Sequence, residues 1–338
     1  MYVCNIVIIE VLCMKKPVYN DVIDFQRALL IVMVILVHIV NFGTLYPEVK
    51  ARIFSFFMPA FLIITGYLVN IRKTPRQFGV SLLQMAIPYT IMVIGYMVLS
   101  LYLPVRDGIT ELSWETTFRI LFIRSIGPYW FFRVIIICST LYYIVFRCAD
   151  GLKVRLWKSN AGKEDTAKVG ELFALLATLF IVSRLTPALP WDTAFYFVCG
   201  VTIRLFVHDF DKVCPRSWMA CVPFTLFLYV YPKDLFNVSV LILVFCFFSL
   251  TAQLSTVITG GFRLALLYIG RNTLPIYIFH PVFTMAGKFL LPIFQFDKSG
   301  LCHAGCVTLL ALLGSIAIAR VADKLHCSWI MGRAKLLR

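Results

Sequence analysis

Asp24-Phe25-Gln26-Arg27-Ala28-Leu29-Leu30-Ile31-Val32-Met33-Val34-Ile35-Leu36-Val37-His38 decides how this chain is read. The ten residues from Ala28 to Val37 are all apolar, and a charge and an imidazole bracket them. In a helix, eleven steps of about 100° bring Arg27 and His38 back to within roughly 20° of one face, about 16 Å apart along the axis. Asp24 lies within about 60° of the same face. Polar groups on one face of a membrane helix are costly to keep, so they point to function.

Composition puts that stretch in a bilayer. Of 338 residues, 60% are hydrophobic, 15% aromatic and only 14% charged, which excludes an ordinary soluble domain. Apolar runs recur at roughly 23–43, 51–70, 80–103, 128–146, 169–186, 190–207, 217–231, 235–256, 273–291 and 301–319, with polar residues crowding both ends of the fifth. The expected fold is therefore an all-α polytopic membrane bundle of about ten transmembrane helices. Residues 1–20 read as an N-terminal cytoplasmic or interfacial segment, 21–320 as the membrane domain, and 321–338 as a basic cytoplasmic tail. Met1–Cys13 is too short to span and lacks the pattern of a signal peptide; Met14-Lys15-Lys16 offers a second plausible start.

Charge gives a direction. With the N-terminus inside, cytoplasmic joints and tails hold twenty of the thirty-two Lys and Arg residues, so both termini are expected in the cytoplasm. That bias accounts for most of the +15 net charge, and no nucleic-acid partner is expected. All seventeen Asp and Glu residues fall in loops, tails or span ends, whereas Arg27, Arg133 and Arg204 lie within spans. Proton- or cation-coupled transport usually needs acidic groups at mid-membrane. Embedded arginines suit an anionic ligand instead, such as the phosphates of coenzyme A.

Each remaining polar feature carries two readings. Asp24 supplies Arg27 with an i,i+3 partner. His38 and His280 are either core imidazoles held by one hydrogen bond or functional groups. Pro281 frees the Tyr277 carbonyl beside His280 and sets a kink there, while Pro275 fits the first turn of its span behind an Asn272-Thr273 cap. Arg204 fits snorkelling to headgroups. Trp130 and Arg133 belong either to an aromatic belt or to an acceptor-sugar platform. Arg72 and Arg76, in a short basic joint, follow from positive-inside bias or bind a nucleotide phosphate. The loop at 147–168 reads as facing anionic headgroups. The eleven scattered cysteines argue against a disulfide framework, and Cys302-His303-x-x-Cys306 reads as buried thiols rather than metal ligands, so no metal is expected.

Four stretches in order resemble the acyltransferase-3 family of integral membrane acyltransferases. They are Arg27 and His38 with ten residues between, Phe56-Phe57-Met58-Pro59-Ala60-Phe61-Leu62-Ile63-Ile64-Thr65-Gly66-Tyr67, Tyr129-Trp130-Phe131, and Ile269-Gly270-Arg271-Asn272-Thr273-Leu274-Pro275-Ile276-Tyr277-Ile278-Phe279-His280. The resemblance covers roughly 20–320. It implies transfer of an acyl group, commonly acetyl from acetyl-CoA as donor substrate, to a hydroxyl of a sugar, glycan or lipid-linked saccharide, with His38 as essential base and Arg27 as its partner. It also implies a bacterial inner membrane and no tightly bound cofactor. Some members carry a soluble esterase-like domain; here acceptor delivery falls to the membrane part.

Acyl transfer from a thioester needs an activated hydroxyl and a stabilised oxyanion, and a histidine suits the first task at neutral pH. An acyl-histidine intermediate is the other route. The alternative function is a transporter or flippase for an anionic or lipid-linked saccharide, which would carry repeated halves that the sequence does not show.

Overall fold

The computed structural model describes residues 20–102, 108–109, 111–156, 164–230 and 238–338. The expected segment before residue 20, residues 104–107 and 110 of the 104–118 joint, and residues 157–163 of the 147–168 loop lie outside the described residues. The described chain is helical, without strands. In order, the α-helices are α1 (Asp21–His38), α2 (Val40–Leu45), α3 (Pro47–Leu68), α4 (Pro75–Ser100), α5 (Trp114–Phe118), α6 (Trp130–Leu156), α7 (Glu164–Leu185), α8 (Trp191–Thr202), α9 (Phe210–Val213), α10 (Cys221–Val230), α11 (Val238–Val257), α12 (Gly260–Arg271), α13 (Thr273–Ala286) and α14 (Leu301–Lys324).

Among the described residues, seven helical stretches are long and apolar enough to cross a membrane: Pro47–Leu68, Pro75–Ser100, Gly127–Ala149, Asp165–Leu185, Val238–Val257, Thr273–Phe294 and Leu301–Lys324. The other three expected spans also fold as helices, but differently. The first carries Asp21, Asp24 and Arg27 within 18 residues. The sixth is α8 continued by a π-turn at Ile203–Val207, and the seventh is the short Trp218–Val230 stretch.

The chain divides into two compact units, one holding the residues up to Phe54 with Arg216–Val222 and Cys246–Arg338, the other Ser55–Pro215 and Pro223–Phe245. In the first unit, α1 starts on Asn20, whose side chain accepts from the Val22 and Ile23 N–H groups. Asp21 and Asp24 then face the positive end of the helix dipole. The expected 23–43 span is broken. α1 stops at His38, and Ile39 turns extended (φ −75°, ψ 111°) before α2 begins. No glycine or proline marks that stop; it lets Ile39 and Phe42 bury against Ala304 and Val307 of α14.

α12 falls between the apolar runs 235–256 and 273–291, and at 12 residues it is too short to span. It packs through Leu266 and Leu267 on Phe25 and Ala28 of α1. Among lipid tails, burying apolar side chains gives helices little reason to associate, so close approach and polar ties matter more. Gly270 supplies the approach: a Cβ there would overlap the Asp24 carbonyl oxygen. Gln26, fully buried, supplies a tie by donating from Nε2 to the Phe248 carbonyl of α11 at 3.1 Å.

The second unit uses the same devices. A Cβ on Gly66 would strike the Phe197 carbonyl, and one on Gly200 the Ile63 carbonyl, so α3 and α8 touch backbone to backbone. Pro75 begins α4 behind a Thr74–Gln77 capping box. Phe78 stacks on Tyr143 of α6 at 3.9 Å.

Gly270→Ala is expected to lower the unfolding temperature in detergent, by a destabilisation of about 1–3 kcal/mol for overpacking at a backbone contact. Gly79→Ala, in a helix with open space around the new methyl, is expected to be neutral or mildly stabilising. A thermal scan of the two proteins checks the pair.

Candidate active site

The site grows from α1, α12 and α13 of the first unit. Asp24, only 5% exposed, shares its carboxylate between two helices. Its Oδ1 accepts from Arg27 Nη1 at 3.3 Å, and its Oδ2 from Arg271 Nε at 3.2 Å. Arg271 reaches Asp21 as well (2.8 Å), and Arg263 lies 3.7 Å from the same carboxylate. The i,i+3 pair expected from sequence is thus present as half of a larger lattice that fastens α12 to α1.

Arg27 does not stop at Asp24. Its Nη2 donates to the Thr273 hydroxyl, the first residue of α13. The guanidinium therefore bridges α1 and α13, which run parallel. Two turns along α13, on the same face as Thr273, stands His280. It is fully buried, and its ring meets that of His38 edge-on, with centroids 5.4 Å apart. Arg27 and His38 do share a face of α1, and α13 lies along it.

Backbone carbonyls set the tautomers. His38 Nδ1 lies 2.6 Å from the Val34 carbonyl, and His280 Nδ1 lies 2.9 Å from the Tyr277 carbonyl. A carbonyl oxygen only accepts, so in each neutral ring Nδ1 holds the hydrogen and Nε2 carries the lone pair. Tyr277 is the residue whose carbonyl Pro281 strips of its helix hydrogen bond. The carbonyl expected to be freed beside His280 thus holds the ring. His280 Nε2 is buried with no hydrogen-bond partner among the described residues. His38 is half-buried, so it is the more accessible of the two rings.

The remaining candidates lie in the second unit. Arg133, 8% exposed, donates from Nε to the Ala188 carbonyl (3.1 Å) and from Nη1 to the Ser125 hydroxyl (3.0 Å). It braces two loops, and Trp130 sits edge-on to Phe131. Arg72 and Arg76 are exposed, Arg72 in a joint fastened to α6, where the Lys73 carbonyl accepts from Tyr143 and Arg147, and Arg76 in the first turn of α4. Arg204 lies over the Tyr67 ring at 5.4 Å rather than extending free along the helix.

Residues 20–320 match the family described as an acyltransferase domain. The chain belongs to the acyltransferase-3 family. No curated protein and no solved structure matches it. As a member of this family it is a membrane acyltransferase, which takes an acyl donor and an acceptor in the bilayer.

Several partners in this candidate site are not singled out by the sequence. In the sequence Arg271 and Thr273 stand only as members of the Ile269-to-His280 stretch, with Thr273 part of a cap. Asn272 makes no side-chain cap bond at all; it donates to the Tyr268 carbonyl at 2.8 Å and to the Arg338 carbonyl. Cys302 and Cys306 are exposed, contrary to the buried-thiol expectation, because α14 turns His303 inward to the Gly287 carbonyl instead. Among the described residues, no three His, Cys, Asp or Glu side chains gather as metal ligands.

Asp24→Asn is expected to destabilise more than Asp21→Asn. Asp24 is buried against two guanidiniums, whereas the Asp21 side chain is 48% exposed. Losing the buried acceptor costs about 1–3 kcal/mol, the exposed one under about 1 kcal/mol. Unfolding temperatures of the two variants, compared in one detergent, measure the difference.

Proposed function

We propose that this acyltransferase moves an acetyl group from acetyl-CoA to a hydroxyl of a sugar, glycan or lipid-linked saccharide, in a bacterial inner membrane. One observation carries the assignment of roles: two imidazoles face each other with both Nδ1 hydrogens on carbonyls, and only His38 is accessible.

His38 Nε2 takes the proton from the acceptor hydroxyl as that oxygen attacks the thioester carbonyl. The tetrahedral intermediate then collapses, the C–S bond breaks, and the proton passes to the CoA thiolate. His280, behind His38, offers a second lone pair and helps accommodate the imidazolium while it lasts. Arg27 stands about 16 Å from His38 along α1, beyond the reach of the reacting atoms. It binds a donor phosphate, held ready by Asp24 and Thr273. Positive-inside bias supports a cytosolic arginine end, on the side where acetyl-CoA is available. Direct transfer needs no acyl-enzyme, in keeping with an oxygen acceptor that can reach His38.

Reconstituted protein supplied with acetyl-CoA and a surface-glycan extract is expected to release free CoA and add an acetyl mass to the glycan. His38→Gln is expected to cut the release by about 10²–10⁴ in correctly inserted protein, the range of one general base. Near-normal release from His38→Gln would remove it from the chemistry. Transport of saccharide without thioester consumption would favour the flippase.

A further inference from the structure

Three consecutive residues tie the α12–α13 junction to three different parts of the chain. Arg271 holds Asp21 and Asp24 of α1, and Thr273 accepts from Arg27. Asn272, fully buried between them, holds the C-terminal segment instead. Its Oδ1 accepts from the Arg338 N–H at 2.8 Å, and its Nδ2 donates to the Arg338 backbone oxygen at 3.3 Å. An amide that both accepts from and donates to one residue's backbone fixes how that residue lies as well as where.

The segment reaches Asn272 by a built path. α14 ends at Lys324, and His326 (φ 54°) turns the chain into a single 3-10 turn at Ser328–Met331. Gly332 (φ 68°) reverses it, in a conformation open to a residue without a Cβ. The returning chain passes Asp323, in the last turn of α14. That carboxylate accepts from the Ser328 hydroxyl and from the N–H groups of Leu336 (2.7 Å) and Leu337 (3.0 Å). Ser328 and Leu336 are buried there, whereas Arg338 is exposed. The hydrogen bonds that Asp323 and Asn272 make to residues 336–338 are therefore all to backbone.

With Asn272 held, its neighbour Thr273 has a fixed place, and the Thr273 hydroxyl is where Arg27 Nη2 ends. The far half of α13 is anchored separately. A Cβ on Gly314 of α14 would strike the Phe283 ring, and His303 Nε2 donates to the Gly287 carbonyl just past α13 at 2.9 Å. Unseating the C-terminal segment would loosen the Arg27 end of α13 and leave the His280 end in place.

We infer that Asn272, gripped by the segment at 325–338, positions Arg27 for the phosphate of the acyl donor, acting through Thr273. The inference rests on the acyl-CoA reading above. Asn272 and Asp323 are positioning residues: neither touches the donor, and each acts through the backbone that it holds. The segment lies beyond the 20–320 family match, whereas Asn272 and Arg27 lie within it.

Two substitutions at one position separate backbone from side chain. Arg338→Pro and Arg338→Ala both lose the guanidinium, but only proline removes the N–H that Asn272 accepts. The whole chain is assayed with acetyl-CoA and with S-acetyl-pantetheine, which carries the thioester without the nucleotide phosphates. Arg338→Pro is expected to raise KM for acetyl-CoA about three- to tenfold, the range of one net hydrogen bond. Its kcat and its KM for S-acetyl-pantetheine stay unchanged, and Arg338→Ala changes neither KM. Asn272→Ala is expected to raise KM for acetyl-CoA at least as much, and adding Arg338→Pro to it raises KM no further. An equal rise for both donors, an equal rise in Arg338→Ala, multiplying effects in the double variant, or no rise at all overturns the positioning role.

Amide hydrogen exchange reads the same link without turnover. Arg338→Pro, but not Arg338→Ala, should speed exchange across residues 272–278 and leave residues 283–290 unchanged. Faster exchange in both stretches, or in neither, overturns the link. If exchange responds as stated but the wild type consumes no acetyl-CoA, the acyl-CoA reading falls and the grip of the segment on the start of α13 stands.

Discussion

The Asp24 carboxylate is the point on which the first unit depends. A buried carboxylate is tolerable only when paired, and here each oxygen takes one guanidinium from a different helix. Arg271 locks α12 against α1 at the height where Gly270 admits backbone contact. Arg27, steadied by the same carboxylate, reaches on to Thr273 and sets the register of α13. That register places His280 opposite His38 two turns further along. Moving α13 by one residue would rotate His280 about 100° away, so a charge at one end of the helix fixes the meeting of two rings at the other.

The two ends of α1 accordingly have different chemistry. One carries the interlocked charges of Asp21, Asp24, Arg27, Arg263 and Arg271. The other carries neutral rings whose hydrogens are settled by carbonyls of their own helices. The His38 ring is held by the last turn of α1, and the His280 ring by a carbonyl that Pro281 released. Phosphate recognition and proton transfer are thereby kept about 16 Å apart on one helix. A donor with charges at one end and a thioester at the end of a long arm matches that separation.

Much of this was legible in the sequence, because it rests on local rules. Helical periodicity put Arg27 and His38 on one face, the i,i+3 rule paired Arg27 with Asp24, and the proline rule freed the Tyr277 carbonyl. Apolar runs gave the all-helical membrane class. What was not legible is tertiary. Arg271 looks like any loop cation until α12 folds, and α12 is too short to announce itself among longer spans. The stop at His38 has no breaker, since packing of Ile39 and Phe42 on α14 causes it. Asn272 stands where a helix cap belongs, yet its amide serves a segment 66 residues away. Arg133 read as a possible ligand; its buried fork turns out to brace two loops.

The coupling of the two imidazoles is open to a double-mutant cycle on acyl transfer, using His38→Gln, His280→Gln and the pair together. Residues that act as one unit show strongly non-additive losses. The expected result is a double variant no slower than His38→Gln alone. Two independent losses that multiply in the double variant would contradict the joint role assigned to His38 and His280.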